Sequence, residues 1–150
     1  NYTSNYDRIY YQPPGFWNHG LGIQIKLTEP TTIYGVELYG EKIDKFNPTI
    51  INVSIRGYDA QNNKPNSSVY STVEINMSTT EGWYRQTFPS FVLLSAGNYF
   101  LIINGSNVVS VNDDRMRWYY NNINPSDPSL YASNYTDQTG QWSAGIQNHT

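Results

Sequence analysis

The sequence predicts an all-β protein, a sandwich of eight to ten antiparallel strands with little or no helix, a closed barrel being the alternative. Apolar residues recur with period two in short runs. Gly, Pro and Asn punctuate those runs at the spacing of turn-linked strands. The 150 residues suit one domain, large enough to bury a real core.

The first 18 residues, with Tyr10-Tyr11-Gln12-Pro13-Pro14-Gly15, read as an irregular lead-in or an extra strand, leaving one sandwich domain over 19–150. Leu21, Ile23, Ile25 and Leu27 form the first stripe, closed by Glu29-Pro30-Thr31-Thr32. Tyr34, Val36 and Leu38 form the next and end at Gly40. In Thr49–Tyr58 the inward set is Ile51, Val53 and Ile55; in Val69–Met77 it is Val69, Val73, Ile75 and Met77. The stretch Asp59–Asn66 between them is a turn by composition. Trp83–Phe88 stops at Pro89, and Phe91–Leu94 leads through Ser95-Ala96-Gly97 into Asn98–Asn104. That last run is apolar on both faces, as a central strand requires. Val108–Val111, Arg115–Tyr120, Leu130–Ser133 and Trp142–Ile146 complete the set.

Composition bounds the function classes. Charged residues make up 14%, against roughly 25% in an average soluble domain. In their place stand 18 Asn, 14 Ser, 12 Thr and 14 Tyr. A net charge of −3 without a basic run leaves no footprint for nucleic acid. No run approaches the length of a membrane-spanning helix. Cysteine is absent, so there are neither disulfides nor thiolate metal sites. A chain that opens on Asn1 suggests a removed leader or one module of a longer protein.

Asn-X-Ser/Thr sequons occur at Asn1, Asn52, Asn66, Asn76, Asn104, Asn134 and Asn148, where composition alone gives about three. Strand parity turns Asn52 and Asn76 outward, while Asn66 and Asn104 fall in turn context. No sequon takes a predicted core position. The expectation is N-linked glycosylation and export; an Asn-rich bare surface is the alternative.

Nothing forms a catalytic constellation. The only imidazoles are His19 and His149, and neither sits near a nucleophile motif. Glu37 with Glu41, or Asp113 with Asp114, are the carboxylates that could form a glycosidase pair, but adjacent Asp113 and Asp114 on a strand point to opposite faces and Glu37 lies opposite the inward stripe, exposed. Asn112-Asp113-Asp114 offers hard oxygen ligands for a structural calcium, with an Asx-rich turn as the alternative; no other cofactor is implied. Trp17, Trp83, Trp118 and Trp142 are candidates for sugar stacking. On a strand over Arg115–Tyr120, Trp118 shares the core face with Met116 and Tyr120, which leaves Arg117 and Tyr119 outward for a ligand or partner. Tyr10 and Tyr11 belong to an N-terminal segment, Tyr6–Gln12, that suits pairing with the sheet edge of a neighbouring copy.

A resemblance adds to this reading. It is carried by Ile33–Tyr39, Asn52–Tyr58, Lys64-Pro65-Asn66-Ser67, Trp83–Phe88, Leu93–Ile102 and Arg117-Trp118-Tyr119-Tyr120. In this order they resemble the jelly-roll modules of secreted bacterial and archaeal surface proteins called choice-of-anchor domains, similar in layout to non-catalytic carbohydrate-binding sandwiches. The most specific piece is the corner at Leu94–Ile103. The chain departs from the pattern at Gly22-Ile23-Gln24-Ile25, where such modules carry Gln-Ser-Phe, and lacks the late glycine pair near Tyr131-Ala132-Ser133. The resemblance implies a jelly-roll fold, an extracellular setting and no catalytic residue. The expected function is therefore a non-enzymatic, N-glycosylated structural subunit of a cell surface, assembling into a filament, pilus-like appendage or sheath, with an archaeal source ahead of a bacterial one. A carbohydrate-binding or adhesive module of a larger extracellular protein is the alternative.

Overall fold

The computed structural model describes residues 6–10, 20–42, 49–104, 115–119, 132–136 and 142–148, with side chains over 22–42 and 50–104. The strands are β1 (Tyr6–Tyr10), β2 (Gly20–Leu27), β3 (Thr31–Lys42), β4 (Thr49–Asp59), β5 (Lys64–Met77), β6 (Gly82–Leu94), β7 (Gly97–Asn104), β8 (Arg115–Tyr119), β9 (Ala132–Thr136) and β10 (Trp142–Asn148). They form two antiparallel sheets, four-stranded in the order β1-β8-β3-β6 and six-stranded in the order β10-β9-β2-β7-β4-β5. Within the first eight strands β1 pairs β8, β2 pairs β7, β3 pairs β6 and β4 pairs β5. This is the nesting of one long hairpin, doubled back at the β4–β5 turn and rolled so that its pairs alternate between the two layers. The N-terminal segment is part of that nesting, because Tyr6–Tyr10 is an edge strand paired along its length with β8.

Period-two alternation places the core between the sheets. Leu38, Ile51, Val53, Ile75, Met77 and Ile103 form one buried cluster, and Ile55, Phe88, Val92, Leu94 and Tyr99 a second. Each such side chain, fully buried, contributes about 1.5–3 kcal/mol from the area it removes from water. β7 lies between β2 and β4, and its apolar run is buried on both faces, Ile103 toward the core and Phe100 away from it.

Two strand boundaries and one inward stripe differ from the sequence expectation. Pro89 does not end a strand: β6 runs from Gly82 to Leu94, and as the sheet's edge strand it tolerates a missing N–H. β5 starts at Lys64, so the turn after Asp59 is short, and Val69 is exposed beside a register shift instead of facing inward. Between Ile33 and Gly35 a bulge breaks the stripe expected of Tyr34, Val36 and Leu38. Val36 and Leu38 stay inward, and Tyr34 turns out to solvent. Gly35 is needed there, since a Cβ would collide with the Gln86 carbonyl oxygen.

Short-range polar contacts fix the turns. Asp59 Oδ1 accepts from the Gln61 amide at 3.0 Å and the Asn62 amide at 3.3 Å, and Asn63 adopts φ 49°. At the Leu94–Ile103 corner Gly97 has φ 153°, and Tyr99 Oη donates to the Ser95 carbonyl at 3.0 Å. Tyr84 Oη lies 2.7 Å from Ser78 Oγ, tying down the turn by which the chain passes from β5 to β6 and so between sheets.

Candidate functional site

The outward face of β3 and β6 carries most of the exposed aromatic surface among the described residues. The antiparallel register sets its residues in rows across the two strands. Tyr39 stands opposite Trp83, with ring centroids 5.2 Å apart in a T-shaped pair. Glu37 stands opposite Arg85 and accepts from its Nη2 at 2.8 Å. Gly35 stands opposite Thr87, the Tyr34 and Phe91 rings lie 6.3 Å apart, and Thr32 stands opposite Leu93. Phe91 is 65% exposed and Trp83 52%. A hollow of about 250 Å³ opens beside Gly35, lined by Tyr34, Glu37, Arg85 and Thr87. Parity and the bulge together create this face: odd-numbered residues from Glu37 to Glu41 and from Trp83 to Thr87 point out, and the bulge adds Tyr34 to them.

The electrostatics of the face are local. Arg85 is largely exposed, so the ion pair positions charge more than it stabilises the fold. Tyr39 Oη donates to Glu81 Oε1 at 2.8 Å. That bond, followed by partial desolvation and the charges of Glu81 and Glu41, raises the Tyr39 phenol above its ordinary value. Asp59, in the β4–β5 turn, is lowered, first by the Asn62 side-chain hydrogen bond and then by the Asn62 and Gln61 amides and Lys64.

The outward face of the six-stranded sheet is built differently. Phe100 and Ile102 are 0% and 2% exposed there and belong to neither core cluster. Gln24 and Ser54 on the same face are also buried, and the Tyr58 ring stacks on Phe100 at 5.9 Å. Around this closed centre lie the sequons. Six of the seven fall on described residues, and all six are in strands of this sheet: Asn52 in β4, Asn66 and Asn76 in β5, Asn104 in β7, Asn134 in β9 and Asn148 in β10. Asn76 is exposed between buried Ile75 and Met77, as parity predicts. Asn52 is outward by parity but only half-buried, and it stands directly opposite Asn104 on one side and Glu74 on the other. Asn104 is the last described residue of β7, and the turn expected to follow it lies outside the described residues. Asn66 is a strand residue with its amide engaged: Oδ1 accepts from the Ser68 amide at 2.9 Å, and Nδ2 lies 3.4 Å from the Tyr58 carbonyl.

Other predicted site residues are fixed only in part. β8 registers Arg117 with Glu41 and Trp118 with Gly40, so the two take opposite parities, and Tyr119 stands opposite Tyr6. Tyr10 is the last residue of β1, opposite Arg115. The side chains of Tyr10, Arg117, Trp118, Tyr119, Asn134 and Asn148 lie outside the described set, as do Asn1, Tyr11, Trp17, His19, Asp113, Asp114, His149 and the strand expected over Val108–Val111. The calcium expectation at Asp113 and Asp114 therefore has no geometry. Among the described residues no three His, Cys, Asp or Glu gather as metal ligands, and no helix is long and apolar enough to cross a membrane.

Sequence reasoning named Trp83 but missed Tyr34, Phe91 and Leu93. The signal was Phe91-Val92-Leu93-Leu94, four apolar residues in succession on a strand, which puts two of them on each face. Comparison with protein-family models, curated proteins and solved structures gave no match.

Proposed function

We propose that this protein is a non-catalytic, N-glycosylated module of a cell surface that associates with copies of itself, as in a filament, pilus-like appendage or sheath. The observation that carries the proposal is a division of labour between sheets. The described sequons lie in the six-stranded sheet, and the Trp83, Phe91 and Tyr34 rings are exposed on the four-stranded one. Glycans on one side supply the solubility that a low charge content withholds, and the aromatic side remains available for contacts. The nested pairing of the first eight strands supports the jelly-roll reading, and with it the resemblance to extracellular choice-of-anchor modules. The position of β1 at a sheet edge supports strand addition as one route of assembly. A secreted location follows from the glycosylation reading, and an archaeal source from sequon density.

Intact mass and electron microscopy of native-source material test the proposal. Assembled particles with a mass above the 17.2 kDa polypeptide are expected. Dispersed chains of unmodified mass would contradict it.

Carbohydrate binding is a second reading, favoured by the Tyr39–Trp83 and Tyr34–Phe91 pairs flanking polar Glu37 and Arg85 around a hollow. A glycan array with Trp83→Ala as control tests it: binding lost in the variant supports it, and no binding by the parent protein ends it.

A further inference from the structure

We infer that the outward face of β3 and β6 is a two-fold interface between two copies of this chain, packed face to face about an axis parallel to the strands and midway between them. The inference rests on the reading of the protein as self-associating and names the surface and symmetry of one contact. Two register rows of this face have complementary members on the two strands, Glu37 with Arg85 and Tyr39 with Trp83, and within the register shift the Tyr34 and Phe91 rings lie against each other.

A two-fold axis along the strands lays β3 of one copy over β6 of the other and keeps each row at its own height. Residues of the paired rows then meet the copies of their row-mates. Glu37 meets the partner's Arg85, Tyr39 the partner's Trp83 and Tyr34 the partner's Phe91. The other in-plane axis, perpendicular to the strands through the ion-pair row, lays β3 over β3. It sets Glu37 against Glu37 and Arg85 against Arg85, the like-charge arrangement that interfaces avoid. Charge therefore selects the parallel axis, and the contact is isologous and closed.

The groups suit the geometry. The Arg85 side chain is 73% exposed, and a guanidinium has donors for two carboxylates, its own Glu37 and the partner's. The four charges then alternate around the axis. Aromatic rings flank them on both sides, the residue types that interfaces concentrate at their centres. The hollow beside Gly35 gives the Tyr34 and Phe91 rings room to interleave as the sheets approach to about 10 Å. Glu81 and Glu41, two like charges, lie beyond the last paired row of the face, Gly40 with Gly82. A contact two strands wide is smaller than a standard interface, as in weak, transient complexes, so the expected dimer is observed over a concentration range reaching the micromolar and above.

Sedimentation velocity of the full glycosylated chain across that range tests the inference. Arg85→Glu and Glu37→Arg, measured separately, each weaken self-association about tenfold or more. Mixing the two variants restores it, because in the mixed dimer both ion pairs reform. The double variant E37R/R85E also associates like the parent. Unfolding free energies of the dilute, dissociated chains change only slightly, since the pair is exposed. If the parent associates but neither reversal weakens it, or mixing restores nothing, this face is overturned while self-association stands. A parent that stays monomeric at all concentrations overturns the self-association reading and the interface together.

Discussion

Phe91 and Phe100 are the same residue type on outward faces of the two sheets, yet one is 65% exposed and the other 0%. The difference follows from position in the sheets. Phe91 is on β6, an edge strand of the four-stranded layer, whereas Phe100 is on β7, flanked by β2 and β4 and stacked under Tyr58. The six-stranded sheet thus buries apolar side chains on both faces, and β3 and β6, the strands of the four-stranded sheet whose side chains are described, bury them on one. Burial of an aromatic stabilises the fold; its exposure on a paired row of strands offers a contact.

The largest expected effect breaks this comparison if it fails. Phe100→Ala lowers unfolding free energy by about 3–5 kcal/mol, and Phe91→Ala by less than about 1 kcal/mol, in urea denaturation of the two variants. Equal losses would mean that the outward faces are energetically alike. Next in size is the bulge that turns Tyr34 outward. Gly35→Ala forces a methyl group against the β6 backbone and costs about 2 kcal/mol in the same measurement, where a freely substitutable position would cost nothing.

The fold was legible in the sequence because period-two alternation is a local property. It located Ile51, Val53 and Ile55, the inward Ile75 and Met77, and the two-faced burial of β7. Parity survives only until a strand gains a residue. The bulge at Gly35 arises in pairing with β6, some fifty residues on, and the register shift near Val69 in pairing with β4 across the hairpin, so Tyr34 and Val69 were expected inside. Pro89 misled for a related reason: whether a proline ends a strand depends on whether that strand lies at an edge. The exposed aromatic face was hidden in the same way, since it arises where β3 and β6, some fifty residues apart, bring Tyr39 to Trp83 and Tyr34 to Phe91.

Glycan occupancy sharpens the other side of the comparison. Asn52 and Asn104 are cross-strand neighbours, with Cβ atoms about 5 Å apart, too close for two glycan stems to stand side by side. Glycopeptide mass spectrometry of native material is expected to find Asn76 the most occupied described sequon, Asn66 the least, and at most one of Asn52 and Asn104 modified per molecule. Peptides showing both modified on one chain would contradict this. The smallest effect concerns the β4–β5 turn. The Asp59 carboxyl is lowered in the folded protein, so its support of the turn is present above the unfolded value and lost as pH falls through the folded one. NMR signals of the Gln61 and Asn62 amides should move with a midpoint below that of an ordinary aspartate, and a midpoint at or above it would remove the turn contacts from the account.

Radical footprinting of assembled against dispersed native material tests most directly whether the four-stranded sheet bears the contacts. The account predicts that Trp83, Phe91 and Tyr34 lose most of their labelling on assembly while Tyr58, on the other sheet, changes little. Unchanged labelling of those three rings in assembled material would contradict it.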